Sequence, residues 1–285
     1  MNKVDGYLRL MRPLNSVMMG FAVLVGAMLV RVVLSGSFWV SFVYGFLTGF
    51  TLTAASMAIN DYYDRNIDAI NEPKRPIPSG TIKPKEALAF TAVLTAIGLI
   101  AAYFTNVSCL ILATISWATS VSYTTVGKRS GLPGNFLVAA CVSVPFIYGS
   151  LAVAGKVESN VLIFASMAFL SVTGREITKG IVDVEGDKAK NVGTVAVRFG
   201  EKTAAYMAVM FFLLAVALSP LPLFLNLVSF WFLPLVAATD IGLIASSLML
   251  LRDYSRENAR KTKNMVLLWF LLGLLAFILG ALTIN

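Results

Sequence analysis

The 285-residue chain contains no histidine. That absence excludes imidazole general bases, Ser-His-Asp chemistry and His-ligated zinc or haem. Cysteine is scarce too. Cys109 and Cys141 both lie in apolar stretches, which argues against a disulfide framework or a thiolate metal site. Charge is thin, at 13% of residues against roughly a quarter in an ordinary soluble domain. With 58% hydrophobic residues and a mean hydropathy of +0.79, too little polar surface remains to cover a water-soluble globule. The expected solvent is a bilayer. A cleavable signal is also missing, since Pro13 and Asn15 interrupt the start and no small-residue cleavage site follows, so the first helix is expected to be retained. Any catalysis must run on carboxylates, cations, hydroxyls and an oxygen-ligated metal.

Apolar runs of about 20 residues predict nine transmembrane helices, near 14–34, 38–60, 87–104, 107–126, 133–154, 160–178, 202–219, 225–250 and 264–283. The expectation is a single all-α, multi-pass membrane domain over 1–285. The first connection, Ser35 to Ser37, is tight. With a cytoplasmic N-terminus, 21 of the 23 Lys and Arg residues fall in cytoplasmic segments, leaving only Arg31 and Lys156 outside. A wrong helix count would scramble that sorting, so the positive-inside rule supports nine spans and an external C-terminus in the cell membrane. The net charge of +8 is therefore a topology signal, and nucleic acid is not needed to explain it.

Two connections on the basic side, about 60–86 and 176–201, begin with acids at helical spacing. Asn60, Asp64 and Asp68 recur every four residues, with Asp61 beside them. Arg175, Lys179, Asp183 and Asp187 do the same, with Glu176 and Glu185 nearby. Residues at i, i+4 and i+8 share a helix face, and Asp61 points about 100° away from the first face. Asp64 to Asp183 and Asp68 to Asp187 are both 119 residues, and Gly80 to Gly200 is 120. Such offsets fit a four-helix pseudo-repeat with one extra helix. Like charges at this spacing destabilise a bare helix. A hard divalent cation turns them into a site, and Mg²⁺ characteristically takes one or two carboxylates plus substrate phosphates.

The run Asn60-Asp61-Tyr62-Tyr63-Asp64-Arg65-Asn66-Ile67-Asp68 resembles the NxxxDxxxD signature of the UbiA superfamily of intramembrane prenyltransferases. Arg75-Pro76-Ile77-Pro78-Ser79-Gly80 is similar to its RPxxxG continuation, and Asp183-Val184-Glu185-Gly186-Asp187 to its second DxxxD motif. The resemblance implies nine helices around a central cavity. It implies Mg²⁺ ions held by Asn60, Asp64, Asp68, Asp183 and Asp187 and bridging a prenyl diphosphate. Arg65, Tyr123, Lys128 and Lys179 are implied as diphosphate contacts, although the Tyr123 to Lys128 spacing is five residues where the family usually has four. Asp64, Asp183, Lys128 and Glu176 are the implied catalytic set, with Glu176 near the acceptor.

Leu10 to Asn15, Arg75 to Gly80 and Gly174 to Asp187 look most like the family's archaeal lipid branch. In that branch a geranylgeranyl group passes from its diphosphate to the free hydroxyl of a prenylated glycerol phosphate. Lys128, Arg129, Arg9 and Arg12 are candidates for handling the acceptor phosphate. An aromatic acceptor of quinone biosynthesis is the alternative. A secondary transporter is a reading of a different class, since Asp240 lies inside the eighth helix, where an acid suggests function by default. Its plainer reading is a protonated or hydrogen-bonded structural carboxyl.

Overall fold

The computed structural model describes residues 2–30 and 36–282, and of these not the side chains of 36–38, 128 and 282. Arg31, Ser35, the end of the ninth predicted helix and the Lys128 side chain thus lie outside the described residues, while Gly36 and Ser37, expected in the first connection, are already helical. Among the described residues the regular structure is all helix. In order the chain forms α1 (Lys3–Met11), α2 (Pro13–Met28), α3 (Gly36–Asn71), α4 (Pro84–Thr105), α5 (Val107–Thr125), α6 (Leu132–Ala154) and α7 (Ser159–Val182). The short α8 (Val184–Ala189) and α9 (Val195–Phe199) follow, then α10 (Glu201–Leu218), the single turn α11 (Leu221–Phe224), α12 (Phe232–Arg252) and α13 (Arg256–Leu282). Among the described residues, eight helices are long and apolar enough to cross a bilayer, and α1 with α2, bent by 41°, brings the number to nine.

Pro13 sets that bend. It occupies the first turn of α2, where its missing N–H costs nothing, and it disfavours a helical residue before it. Arg12 leaves the right-handed helical region but takes a left-handed conformation, φ 46° and ψ 69°, in place of the extended one usual before proline, and this costs a non-glycine residue about 1–2 kcal/mol.

The apolar runs understated three helices. α3 continues to Asn71, α7 to Val182, and α13 begins at Arg256. The α3 and α13 extensions are polar, so they carry helical spacing without a hydropathy signal, whereas α7 runs past Lys179 and Gly180 to the buried Ile181 and Val182. The predicted 225–250 helix starts only at Phe232. The stretch before it is apolar but looped. Asn226 has a positive φ, and the Ser229 amide donates to the Gly280 carbonyl at the far end of α13.

Contacts gather the basic segments at one end of the bundle. Lys3 pairs with Glu86, Arg260 with Glu72, and Arg256 with Glu185, while Arg198 donates to the Arg129 carbonyl. The Ser229–Gly280 contact marks the opposite end, so α1 lies at the basic end and the last turns of α13 at the other. The 119-residue offset holds as like position at the basic end but not as like local structure. Asp64 lies within α3, whereas Asp183 caps α7 and Asp187 belongs to α8. Gly80 and Gly200 do correspond, since both take positive φ, 76° and 85°, as their loops turn toward the next helix.

The centre of the bundle depends on a backbone-to-backbone approach. A Cβ on Gly149 of α6 would sit 2.0 Å from the Val23 carbonyl oxygen of α2, and one on Gly26 would meet the Phe146 carbonyl oxygen at the same distance. Small residues at a helix crossing are the membrane's substitute for a hydrophobic driving force. Gly149→Ala is expected to destabilise the protein by about 1–3 kcal/mol, as overpacking does, read as a lowered Tm in detergent.

Candidate functional site

Between α2, α3, α5, α6, α7 and α13 lies a cavity of about 260 Å³. Its walls are mostly apolar, including Met18, Leu52, Trp117, Val142 and Phe270. A second, apolar cavity of about 110 Å³ adjoins it, sharing Met18, Met19, Val142, Val172 and Phe270. Polar lining is concentrated at the basic end, where Arg12, Asn60, Arg75, Tyr123, Arg175, Glu176, Lys179 and Lys263 meet. Among the described residues, Glu176 is the only carboxylate that lines this space.

The first acidic motif follows from helix geometry. Because α3 runs on to Asn71, Asn60, Asp64 and Asp68 fall on one stripe. Asp64 and Asp68 are buried, and the Asn60 amide nitrogen donates to Asp64 Oδ2 at 2.9 Å, leaving its amide oxygen for a ligand. The loop after α3 folds back over this stripe. Ile77 and Ile82 are buried against Leu10, Ala58 and Ala87, the Ser79 amide donates to the Arg75 carbonyl, and Gly80 supplies the positive φ that closes the turn. Arg75 is thereby delivered to the acids, donating to Asp68 Oδ2 at 2.7 Å and reaching Asp61 Oδ1 at 3.4 Å. Burial opposes the Arg75 charge, but Asp61 and Asp68 outweigh it and hold the guanidinium more firmly protonated than usual.

Asp61 points off the ligand stripe, as its position in the helix requires, yet it is not idle. It is buried, accepts from Arg12 Nη2 at 2.6 Å and is shared with Arg75. A single carboxylate therefore fastens the α1–α2 bend and the α3–α4 loop to the same turn of α3.

The second motif differs from its expected form. A continuous helix through Arg175, Lys179, Asp183 and Asp187 is interrupted where α7 ends at Val182. Asp183 sits in the bridge region, φ −95° and ψ 4°, before α8 begins. Asp187, on α8, is 1% exposed. Glu176 accepts from Arg175 at 3.2 Å and from Lys179 at 3.5 Å. Lys179 is close enough to interact electrostatically with both Asp183 and Asp64, and Arg75 with Asp61, Asp68 and Asp183. The two motifs thus face a common set of cations.

Most of the residues expected at the site converge here. Asn60, Tyr123, Glu176 and Lys179 line the cavity, and Asp64 and Asp183 stand one helical turn beyond Asn60 and Lys179. Arg65 is a correction. It lies one residue off the ligand stripe and turns back on its own helix, donating to the Tyr62 carbonyl at 2.7 Å with its guanidinium over the Tyr62 ring. Arg75, by contrast, lines the cavity and pairs with Asp68. Arg12 reaches the cavity, whereas Arg9 pairs with Asp5 on the exposed face of α1, and Arg129 is exposed. Lys263 and Arg175 also line the cavity; the sequence showed them only as part of the basic-side charge count and of the helical run.

The sequence profile of the UbiA prenyltransferase family matches residues 19–272. The chain belongs to that family. A digeranylgeranylglyceryl phosphate synthase from Methanosarcina mazei is 36% identical over 285 residues, covering 96% of this chain and 97% of the relative. A solved structure of a digeranylgeranylglyceryl phosphate synthase is 34% identical, superposes with a TM-score of 0.73 and covers the whole of both chains. A UbiA homologue from Archaeoglobus fulgidus, solved with DMAPP and Mg²⁺, shares the fold at 19% identity and a TM-score of 0.62, over 96% of this chain and 99% of that one. Asp240, in α12, has a structural partner. It accepts a hydrogen bond from Ser219 and lines the second cavity.

The donor set suits a hard divalent cation. Asn60, Asp64, Asp68, Asp183 and Asp187 offer only oxygens. Among the described residues no three carboxylates already converge on one metal position, which matches an ion that takes a few protein oxygens and completes its shell with phosphate and water.

Asp61 and Asp64 are expected to separate in their effects. Asp61→Ala strips a buried acid from two arginines, and should cost about 3 kcal/mol, the low end for breaking a buried pair, because both arginines keep a quarter of their side chains exposed. Thermal unfolding in detergent reads that loss. Asp64→Ala should leave the Tm near wild type.

Proposed function

We propose that this UbiA prenyltransferase transfers a geranylgeranyl group from its diphosphate to the free hydroxyl of a prenylated glycerol phosphate, with Mg²⁺, as a step in membrane ether-lipid synthesis. The observation that carries the reading is a mostly apolar cavity whose charged lining is confined to one end, one helical turn from two oxygen-rich motifs. The similar chain from M. mazei bears the name of that activity, and the A. fulgidus homologue was solved with a prenyl diphosphate and Mg²⁺.

Asn60, Asp64 and Asp68 on one side, and Asp183 and Asp187 on the other, are the residues that would hold the metal. Bound Mg²⁺ supplies charge neutralisation of the diphosphate, a poor leaving group until its negative charge is offset. Arg75, Lys179 and Lys263 add fixed positive charge between the motifs, and Tyr123 adds a hydroxyl at the cavity wall. Lys128 belongs to the same diphosphate-binding set on the family pattern. The C1–O bond breaks to an allylic cation, and the dry, aromatic-containing wall keeps water from it. The C1–O electron pair leaves with the diphosphate, and the acceptor hydroxyl then forms the new C1–O bond as its proton passes to Glu176. Glu176 is the cavity's own carboxylate, and its bonds from Arg175 and Lys179, which hold it in position, support that role. Arg12, with Asp61 fixing it, is the cation at the cavity available to the acceptor phosphate.

On this reading the whole chain, 1–285, is one membrane domain with the four-helix pseudo-repeat, and the basic end faces the cytoplasm. Single cysteines introduced near residue 2 and near residue 281 should label from opposite sides of sealed cells, the first from inside.

Mass spectrometry tests the chemistry. Purified protein offered geranylgeranyl diphosphate and a panel of acceptors should prenylate the glycerol phosphate lipid and stop in excess chelator. Asp64→Ala and Asp183→Ala should each lower kcat by about 100-fold or more, several kcal/mol of lost charge stabilisation. Efficient prenylation of 4-hydroxybenzoate with no use of the glycerol lipid would assign the chain to the aromatic branch.

A further inference from the structure

The two aspartate motifs lie on different helices, and a metal ion spanning them requires their separation to be fixed before it arrives. The break after α7 makes this demanding. A helix end leaves carbonyls without intrahelical partners, and here the end falls between Lys179, which lines the cavity, and Asp187.

Asn71, the last residue of α3, bridges this break. Its amide nitrogen donates to the Asp183 carbonyl at 3.3 Å, and its amide oxygen accepts from the Gly186 backbone N–H at 3.2 Å. Both polar atoms of one buried side chain therefore bind the Asp183–Asp187 segment, and neither serves its own helix. Arg256 at the start of α13 secures the joint, donating to the Val182 carbonyl at 3.0 Å, the Asn71 carbonyl at 3.3 Å and Glu185 at 3.0 Å. Gly186 has no room to be anything larger, since a Cβ there would lie 2.5 Å from Asn71 Nδ2. Asn71 also extends the ligand stripe. It lies eleven residues after Asn60, three helical turns at 3.6 residues per turn, so the helix that carries Asp64 and Asp68 carries the clamp on the same face.

We propose that Asn71 is a positioning residue that sets the separation of the two aspartate motifs, with Gly186 as its required seat. This rests on the metal-dependent reading above. Asn71 touches no substrate; it acts through Asp183 and Asp187, as partners behind metal ligands do when their loss weakens metal affinity about 10- to 100-fold.

The test is Mn²⁺ binding to the purified full chain, followed by electron paramagnetic resonance of free Mn²⁺ in the presence of geranylgeranyl S-thiolodiphosphate. Asn71→Ala is expected to raise the Mn²⁺ Kd about 10-fold or more. Gly186→Ala should do the same by displacing the amide, and the double variant should be little worse than either, because both break one contact. Asn258→Ala is the comparison. Asn258 ties the α12–α13 turn by donating to the Met249 and Asp253 carbonyls, so its loss should lower Tm without moving the Mn²⁺ Kd. Should Asn71→Ala not fold, Gly186→Ala carries the same test. A lowered Tm with unchanged Mn²⁺ affinity in these variants would overturn the inference alone. Wild-type protein that binds no Mn²⁺ with the analogue would overturn the functional reading, and this inference with it.

Discussion

At the basic end, Asp61 is buried between Arg12 and Arg75, and the rest of the site is arranged around that shared pair. A carboxylate taken out of water is tolerated only when it is paired and hydrogen-bonded. Here the pairing also does geometric duty. Arg12 sits at the left-handed joint between α1 and α2, and Arg75 sits in the loop that folds back over α3. Fixing both to one turn of α3 closes the cavity from two directions and brings Arg75 onto Asp68. The acids that would bind metal are thereby kept from repelling one another before a cation arrives.

From there the division between polar and apolar follows. Gly26 and Gly149 let α2 and α6 meet backbone to backbone, while side chains of α3, α5, α7 and α13 leave space between them for a long apolar group. Charge enters that space only from one end. Such a layout suits a substrate with an anionic head and a hydrocarbon tail, and it is compatible with a chain that lacks histidine, because ionisation under electrostatic stabilisation requires no protein nucleophile.

Much of this was legible from residue spacing. The Asn60/Asp64/Asp68 stripe required only a helix of 3.6 residues per turn, and α3 supplies it. The sorting of Lys and Arg along the chain anticipated which connections share an end. What was not legible depended on tertiary folding. Arg65 and Arg75 are both arginines near the acids, and nothing in their local sequence reveals that one turns back on Tyr62 while a loop delivers the other. The interruption at Asp183 was hidden because the four-residue spacing continues across it. The late start of α12 was hidden because hydropathy cannot separate an apolar loop from an apolar helix. Asn71 had a signal that went unread, its place on the ligand stripe eleven residues beyond Asn60.

Whether the two motifs close on a single diphosphate is decided by anomalous diffraction from crystals grown with Mn²⁺ and geranylgeranyl S-thiolodiphosphate. Mn²⁺ peaks are expected between α3 and the α7–α8 break, in contact with Asp64 and Asp183, with the diphosphate between them and the prenyl chain running toward Phe270. Metal at only one motif, or a diphosphate bound away from both, would contradict that closure.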